Sequence, residues 1–405
     1  MSSPRAPNSA DLSESEGAIG ASDSDKSGAH WEVGETLADR FRAHASDSRH
    51  LYGYAMRGMA EDWEAGGPTR IACRGYENAA RGALIQFRLL AGVFRLVLTG
   101  EAPELLRFYP CLGGTEPARR AWPVMREVIA AHVEEIHAAL AVAPQTNEVG
   151  RSAALLAGLF DLVATSGMRR IRLLELGASA GLNLLRDQYA FRADSWHYGP
   201  SDSKVLIADA IVGADHPGPF EIVARAGCDL NPVEPTTADG RLLLTSFVWP
   251  FDLDRHRRLA AALEIAASHP VRVDKAPASE WLADALTVAE PDTLPVVWHS
   301  ITQMYWPPDE LAAVERILAG SGAQQRLGEV SLEFDPHGPP GAEPELRTRL
   351  WSPSDSLTDL SASQQAIAIR DADKSASPRQ HLVGTAHHHG VPVRLVAESR
   401  SDSTS

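Results

Sequence analysis

The segment Leu173-Leu174-Glu175-Leu176-Gly177-Ala178-Ser179-Ala180-Gly181-Leu182-Asn183 constrains this chain more than any other. A short apolar run of strand character carries a carboxylate near its end, passes through five small residues, and continues into a second apolar stretch. Small residues let the backbone come close to a ligand, and a helix start leaves amides pointing at it. The segment therefore predicts strand, tight turn and a helix from about Leu182, with free amides at residues 177–181 facing a cleft.

The surrounding periodicity says what that turn is built into. From Trp31 to about Ala143 the pattern is helical: Leu84, Phe87, Leu90, Val93, Phe94 and Val97 fall on one face. So do Met125, Val128, Ile129, Val133, Ile136 and Leu140, in a segment opened by Pro123 and closed before Pro144. From about Gln145 short apolar runs alternate with helices. Ile171–Leu176, Phe220–Ala226 before Asp229, Pro270–Val273 before Asp274, Leu294–Trp298 before His299, and Arg326–Phe334 read as strands. Ser152–Ala164, Asp254–Ala267 and Asp309–Leu318, the last capped by Gly320, read as helices. Val391–Val396 predicts a final edge strand. Strands alternating with helices predict an α/β fold, a doubly wound and mostly parallel sheet, behind an N-terminal all-helical domain. The expected division is a disordered tail at 1–30, a helical cap at 31–144, an α/β domain at 145–396 and a second tail at 397–405.

Composition narrows the partners. Fifty-three acidic residues against 38 basic ones give a net charge of −15, which repels phosphates and anionic membrane surfaces. Nucleic-acid and membrane partners are therefore not expected, and a small-molecule substrate is. Cys73, Cys111 and Cys228 lie far apart with no CxxC pair, which suggests a reducing, cytoplasmic setting. The stretch Leu84–Leu98 is broken by Arg88, Gly92 and Arg95 and reads as too short to span a bilayer.

Glu175 followed by Gly177, Ala178, Ser179 and Gly181 resembles the first motif of S-adenosylmethionine-dependent methyltransferases, with Ser179 in place of the central glycine. The resemblance implies a Rossmann-like fold in which this turn wraps the methionine part of S-adenosylmethionine. Glu175 would then interact with the cofactor's amino group. The later strand ends suit the same fold. Asp229, beside Leu230, would accept the ribose hydroxyls, Asp274 the adenine amino group, and His299 and Ser300 would face the transferred methyl. From Gly181 to Asp229 is 48 positions, against an expected spacing of about 20. Either an inserted hairpin intervenes, or Asp209, at the end of a strand-like Lys204–Ala208, is the ribose ligand. Asn231 would cap and Pro232 open the helix after Asp229.

Gly177-Ala178-Ser179-Ala180-Gly181 also spells the G-x-S-x-G elbow of α/β-hydrolases, with Asp274 and either His299 or one of His387–His389 to complete a triad around Ser179. A non-catalytic interaction scaffold is the third reading. Asn147 and Arg151 could contact the carboxylate end of a cofactor, Tyr305 and Trp306 could line a substrate pocket, and His299 could act as general base. His387-His388-His389 is not expected to hold a metal, because successive strand residues point to opposite faces. Finally, Gln145–Arg151, Glu175–Leu184, Asp229–Pro232 and Val248-Trp249-Pro250 together resemble the uncharacterised bacterial family called domain of unknown function 2332, from about Phe41 to His389. That resemblance implies the same two-part architecture and brings no activity with it.

Overall fold

The computed structural model describes residues 35–193, 196–213, 218–288, 290, 292–339, 341–353 and 377–396. The expected tails at 1–30 and 397–405 and most of the Ser/Asp-rich stretch 352–380 lie outside the described residues.

Residues 37–139 form six α-helices: α1 (Leu37–Ala45), α2 (Leu51–Glu64), α3 (Pro68–Ala72), α4 (Ile85–Thr99), α5 (Ala121–Ala131) and α6 (Val133–Ala139). A capping box between Thr36 and Asp39 starts α1, and Gly100 at φ +81° closes α4. The stretch from Met125 to Leu140 is two helices rather than one, broken at His132. Apolar faces of these helices enclose one core containing Phe41, Met56, Phe94 and Ile129.

Next come α7 (Ser152–Ser166) and β1 (Arg170–Leu176), then β2 (Ala190–Arg192), β3 (His197–Tyr198), β4 (Leu206–Ala208) and β5 (Ile211–Val212). The chain continues through β6 (Glu221–Asp229), α8 (Ala238–Ser246), α9 (Leu253–Ser268), β7 (Val273–Lys275), α10 (Ala278–Ala285) and β8 (Leu294–Ser300). It ends with α11 (Pro308–Gly322), β9 (Leu327–Glu333), β10 (Glu345–Trp351), β11 (Arg379–Ala386) and β12 (Val393–Leu395).

Nine strands form one sheet in the order β5-β12-β11-β10-β9-β8-β1-β6-β7. From β7 to β9 all neighbours are parallel, whereas β9, β10, β11 and β12 run antiparallel in succession. The fold is thus mixed α/β around a large, mostly parallel sheet. Side chains alternate across it: Ile171, Leu173, Val296 and Trp298 join the core of α7 and α9, while Leu174, Leu176 and Val297 join that of α10 and α11.

Several local expectations change. The excess chain before Asp229 is a separate three-stranded sheet, β3-β2-β4, which accounts for the long spacing. After the turn the chain makes a 3₁₀ stretch, Leu182–Gln188, instead of an α-helix. Its carbonyls are taken by side chains: Tyr189 Oη donates to Leu182 O (2.6 Å) and Arg225 Nη1 to Leu184 O (2.9 Å). No helix opens at Pro232; α8 starts later, capped by Thr237. Gly320 lies inside α11 rather than at its cap. β12 is covered by β5 and is not the edge. The helical stretches Arg81–Thr99 and Val149–Ser166 are long and apolar enough to cross a membrane, contrary to the expectation for the first; most of each is buried in the fold, as core helices are.

The α8–α9 connection ties the helical residues to the sheet. Trp249 and Phe251 pack on His50, Tyr52 and Phe87, with His50 and Phe251 stacked at 4.2 Å. Cys111 N donates to Pro250 O at 2.9 Å.

Candidate functional site

The chain order reverses at β1: β6 and β7 extend the sheet to one side, β8 and β9 to the other. Parallel strands that part in this way open a crevice at their carboxyl ends. A cleft of about 950 Å³, counted out to its open mouth, lies there. Its wall includes Gly177 and Ser179 after β1, Cys228 and Asp229 at the end of β6, Ala276 after β7, and Ser300 at the end of β8. Arg88 of α4 closes it from the helical side.

The turn after β1 has left-handed backbone at Gly177 (φ +71°), Ser179 (φ +53°) and Gly181 (φ +71°). At Gly177 a Cβ would stand 2.5 Å from Thr302 Oγ1, so both the conformation and the space require glycine. Of the amides at 177–181 expected from the sequence to be free, those of Ala178, Ser179 and Gly181 are taken by the protein, as is that of Leu182. Ala178 N donates to Cys228 O (2.9 Å), Ser179 N to Asp229 Oδ2 (2.9 Å), Gly181 N to Ala178 O (2.7 Å) and Leu182 N to Asn147 Oδ1 (3.0 Å). Buried amides need partners, and for these four the protein supplies them.

Residues 145–151 act as the keystone of this turn. Gln145 Oε1 accepts from Ser179 Oγ (2.5 Å), and Asn147 grips the turn from both ends, its Nδ2 donating to Ala178 O (3.2 Å). Asn147 is therefore a positioning residue and does not line the cleft. Glu148 is buried between Arg255 and Arg258, which hold its carboxyl below the usual range against the cost of burial. Arg151 does reach the cleft; its Nε donates to His388 O (3.0 Å) and its Nη1 to Ser300 O (3.1 Å).

Asp229 stands on the rim, as expected. Each of its oxygens takes one backbone amide, Oδ2 from Ser179 and Oδ1 from Asn231 (2.8 Å), which fixes the carboxylate plane and leaves lone pairs over. Leu230 beside it is 61% exposed at the mouth, an apolar surface in a place water would otherwise cover. Asp209 follows β4 of the small sheet and does not line the cleft, so Asp229 is the acid that the topology brings there.

Three expected residues are placed elsewhere. Glu175 is 2% exposed beneath the floor, where Trp298 Nε1 donates to its Oε1 (3.1 Å) and its Oε2 is buried without a partner. Burial pushes its carboxyl up to about 8, against the opposing pull of Asn183 and Trp298. Asp274 does not line the cleft; Arg272 Nε (2.6 Å) and Trp281 Nε1 (2.9 Å) occupy its oxygens.

His299 is the largest correction. It is 1% exposed and faces away from the cleft, its Nδ1 2.9 Å from Glu333 Oε1 and its Nε2 3.2 Å from Glu329 Oε1. Burial alone would lower its pKa, but the two carboxylates outweigh that and hold it up to about 9. An imidazolium with both nitrogens donating cannot serve as a general base at neutral pH. Its work is indirect: Glu333 also accepts from Thr302 N (3.1 Å), so the pair pins the loop that carries Thr302 and Tyr305 to the cleft wall. Ser300 and Tyr305, the latter 49% exposed, do line the cleft, together with Trp306.

The hydrolase triad is not assembled. Ser179 has the left-handed backbone of an elbow, yet its hydroxyl donates to Gln145 and not to a histidine, and both Asp274 and His299 are committed elsewhere. His387–His389 lie in the turn after β11, not in a strand, so the alternation argument does not hold and their ring nitrogens come within 4.8 Å of one another. Arg255 Nη1 sits 3.3 Å from His389 Nε2, a cation where an ion would have to approach.

The residues missed from the sequence are Arg88, Gln145, Trp298 and Thr302. Arg88 had a signal, since a charge interrupting an apolar helical face needs a reason to be there. Trp298 and Thr302 had none short of the fold.

A mostly parallel sheet with a cleft at the carboxyl ends of its strands defines a mixed α/β protein. Within that class, the chain belongs to an uncharacterised protein family conserved in bacteria, domain of unknown function 2332, whose model matches residues 35–394. No curated protein and no solved structure matches the chain.

Proposed function

We propose that the chain is a Rossmann-like, S-adenosylmethionine-dependent methyltransferase acting on a small-molecule acceptor. The observation that carries this reading is Asp229, a fixed carboxylate at the end of the strand next to β1, on the rim of the cleft at the reversal point. A carboxylate so placed suits a pair of ribose hydroxyls.

The residues present fit the cofactor at three places. Asp229 suits the ribose, exposed Leu230 an adenine face, and Arg151 the methionine carboxylate. The turn at Gly177–Gly181 supplies close backbone approach, with three of its amides already taken by the protein, and Glu175 and Asp274 take no direct part. When bound, S-adenosylmethionine supplies an activated methyl group on a sulfonium. The protein's own share is alignment and exclusion of water, with the helical residues around Arg88 covering the crevice. His299 holds the loop of Thr302 and Tyr305, a positioning role. The reading sets the reaction in the cytoplasm, away from nucleic acid and membranes, in keeping with the net charge of −15.

A thermal-shift series with S-adenosylhomocysteine tests it. A saturable rise in melting temperature is expected, because a ligand that binds only the folded state stabilises it. No shift with this compound or with S-adenosylmethionine would overturn the reading.

A further inference from the structure

Two guanidinium groups in the cleft wall have no carboxylate. Other arginines of this acidic chain do have one: Arg225 pairs with Asp187, Arg349 with Glu315 and Glu329, and Arg394 with Glu343. Among the described residues, neither Arg88 nor Arg151 has an acid within 4.0 Å. Arg88 spends Nη1 on Leu140 O (2.8 Å), while its Nε is buried with no partner at all. Arg151 is bonded to two carbonyls and nothing anionic. Tyr305 lies within electrostatic reach of both guanidiniums. Both guanidiniums have lost part of their hydration; Glu148 and Glu333 favour the charge of Arg151 from a distance, whereas no carboxylate does so for Arg88. The cleft's acid, Asp229, lies more than 4.0 Å from both guanidiniums and faces the turn amides of Ser179 and Asn231.

We propose that the Arg88 side of the cleft binds the anionic head group of the acceptor, a carboxylate or phosphate carried on an apolar or aromatic body. Guanidinium suits either anion, through parallel charge-assisted hydrogen bonds. Tyr305 adds a hydroxyl beside Arg88, and Ile301, Trp306 and Pro144 give the body an apolar wall. Arg151, nearer Ser300, is left for the cofactor's carboxylate. The assignment to an acceptor rests on the methyltransferase reading; the anion site itself does not.

The test is calorimetric titration of the full chain, with no adenosyl compound present, using benzoate, phenyl phosphate and benzyl alcohol. One of the two anions binds and the neutral alcohol does not; the tighter anion identifies the head group. Arg88→Met weakens that anion about ten-fold or more, the size of a lost charged hydrogen bond, and Arg88→Lys restores part of it. Because Arg88 also holds Leu140, Tyr305→Phe is a second variant, expected to weaken the same anion with an unchanged urea midpoint. Anions that bind no better than benzyl alcohol, or that bind both variants as well as the wild type, overturn the proposal. If S-adenosylhomocysteine binds and no anion does, this proposal fails alone. If an anion binds through Arg88 and no adenosyl compound does, the methyltransferase reading fails and the anion site stands.

Discussion

The carboxylate of Asp229 accepts the amide hydrogen of Ser179 at 2.9 Å, joining the end of β6 to the small-residue turn after β1. One contact thus does two things. It satisfies a buried amide, and it fixes the acid on the cleft rim in one orientation. The turn and the rim acid are a single unit, and a change to either is felt by the other.

Asn147 holds the other side of that unit, capping Leu182 N and donating to Ala178 O. Asn147→Ala leaves the part-buried Leu182 amide unpaired and removes one of the two donors to Ala178 O, a loss of about 1–3 kcal/mol. Urea unfolding with an unchanged m-value checks it. Weakened ligand binding at the cleft should accompany the loss, because the turn that carries Ser179 loosens.

Glu175 is a buried acid with a pKa near 8 in the folded state, against 4.5 in the unfolded chain. The folded protein therefore keeps a proton that the unfolded chain has lost. Stability falls as pH rises from about 4.5 to about 8. Glu175→Gln keeps the shape and removes that slope, so its urea midpoint should overtake the wild type above pH 8.

His299 slopes the same way in a higher window. Its folded pKa of about 9 lies above the ordinary 6.5, so its pairing with Glu329 and Glu333 stabilises fully below pH 6.5 and is lost as pH rises through 9. His299→Gln flattens the stability profile between those values. Because the ring does not line the cleft, a catalytic assay of that variant should lose turnover through the Thr302–Tyr305 loop without losing the acidic limb that a general base would impose.

The alternation of strands and helices was legible because β1, β6, β8 and β9 are largely apolar runs, the last three ending on polar residues, and their parallel order follows from the helices between them. The site was legible only where one local pattern decides. Gly177, Gly181 and Asp229 are dictated by backbone conformation and strand-end context. The fate of the turn's amides was not legible, since it depends on Asn147 upstream and on Cys228 and Asp229 some 50 positions downstream. His299 was misplaced for a related reason. It pairs in register with Ser331 on β9, and the period of two puts Glu329 and Glu333 on the same face either side of it. Two acids at that spacing on an otherwise apolar strand are a signal, but one that needs the strand order to interpret.

The central claim is that Asp229 holds the ribose of an adenosyl cofactor in this cleft. Calorimetric titration of S-adenosylhomocysteine into the wild type and into Asp229→Asn tests it most directly, because the asparagine keeps one amide acceptor for the turn and removes the charge. The expected result is one site per chain, weakened about ten-fold or more by the substitution. No binding to the wild type, or equal affinity for both proteins, would contradict the claim.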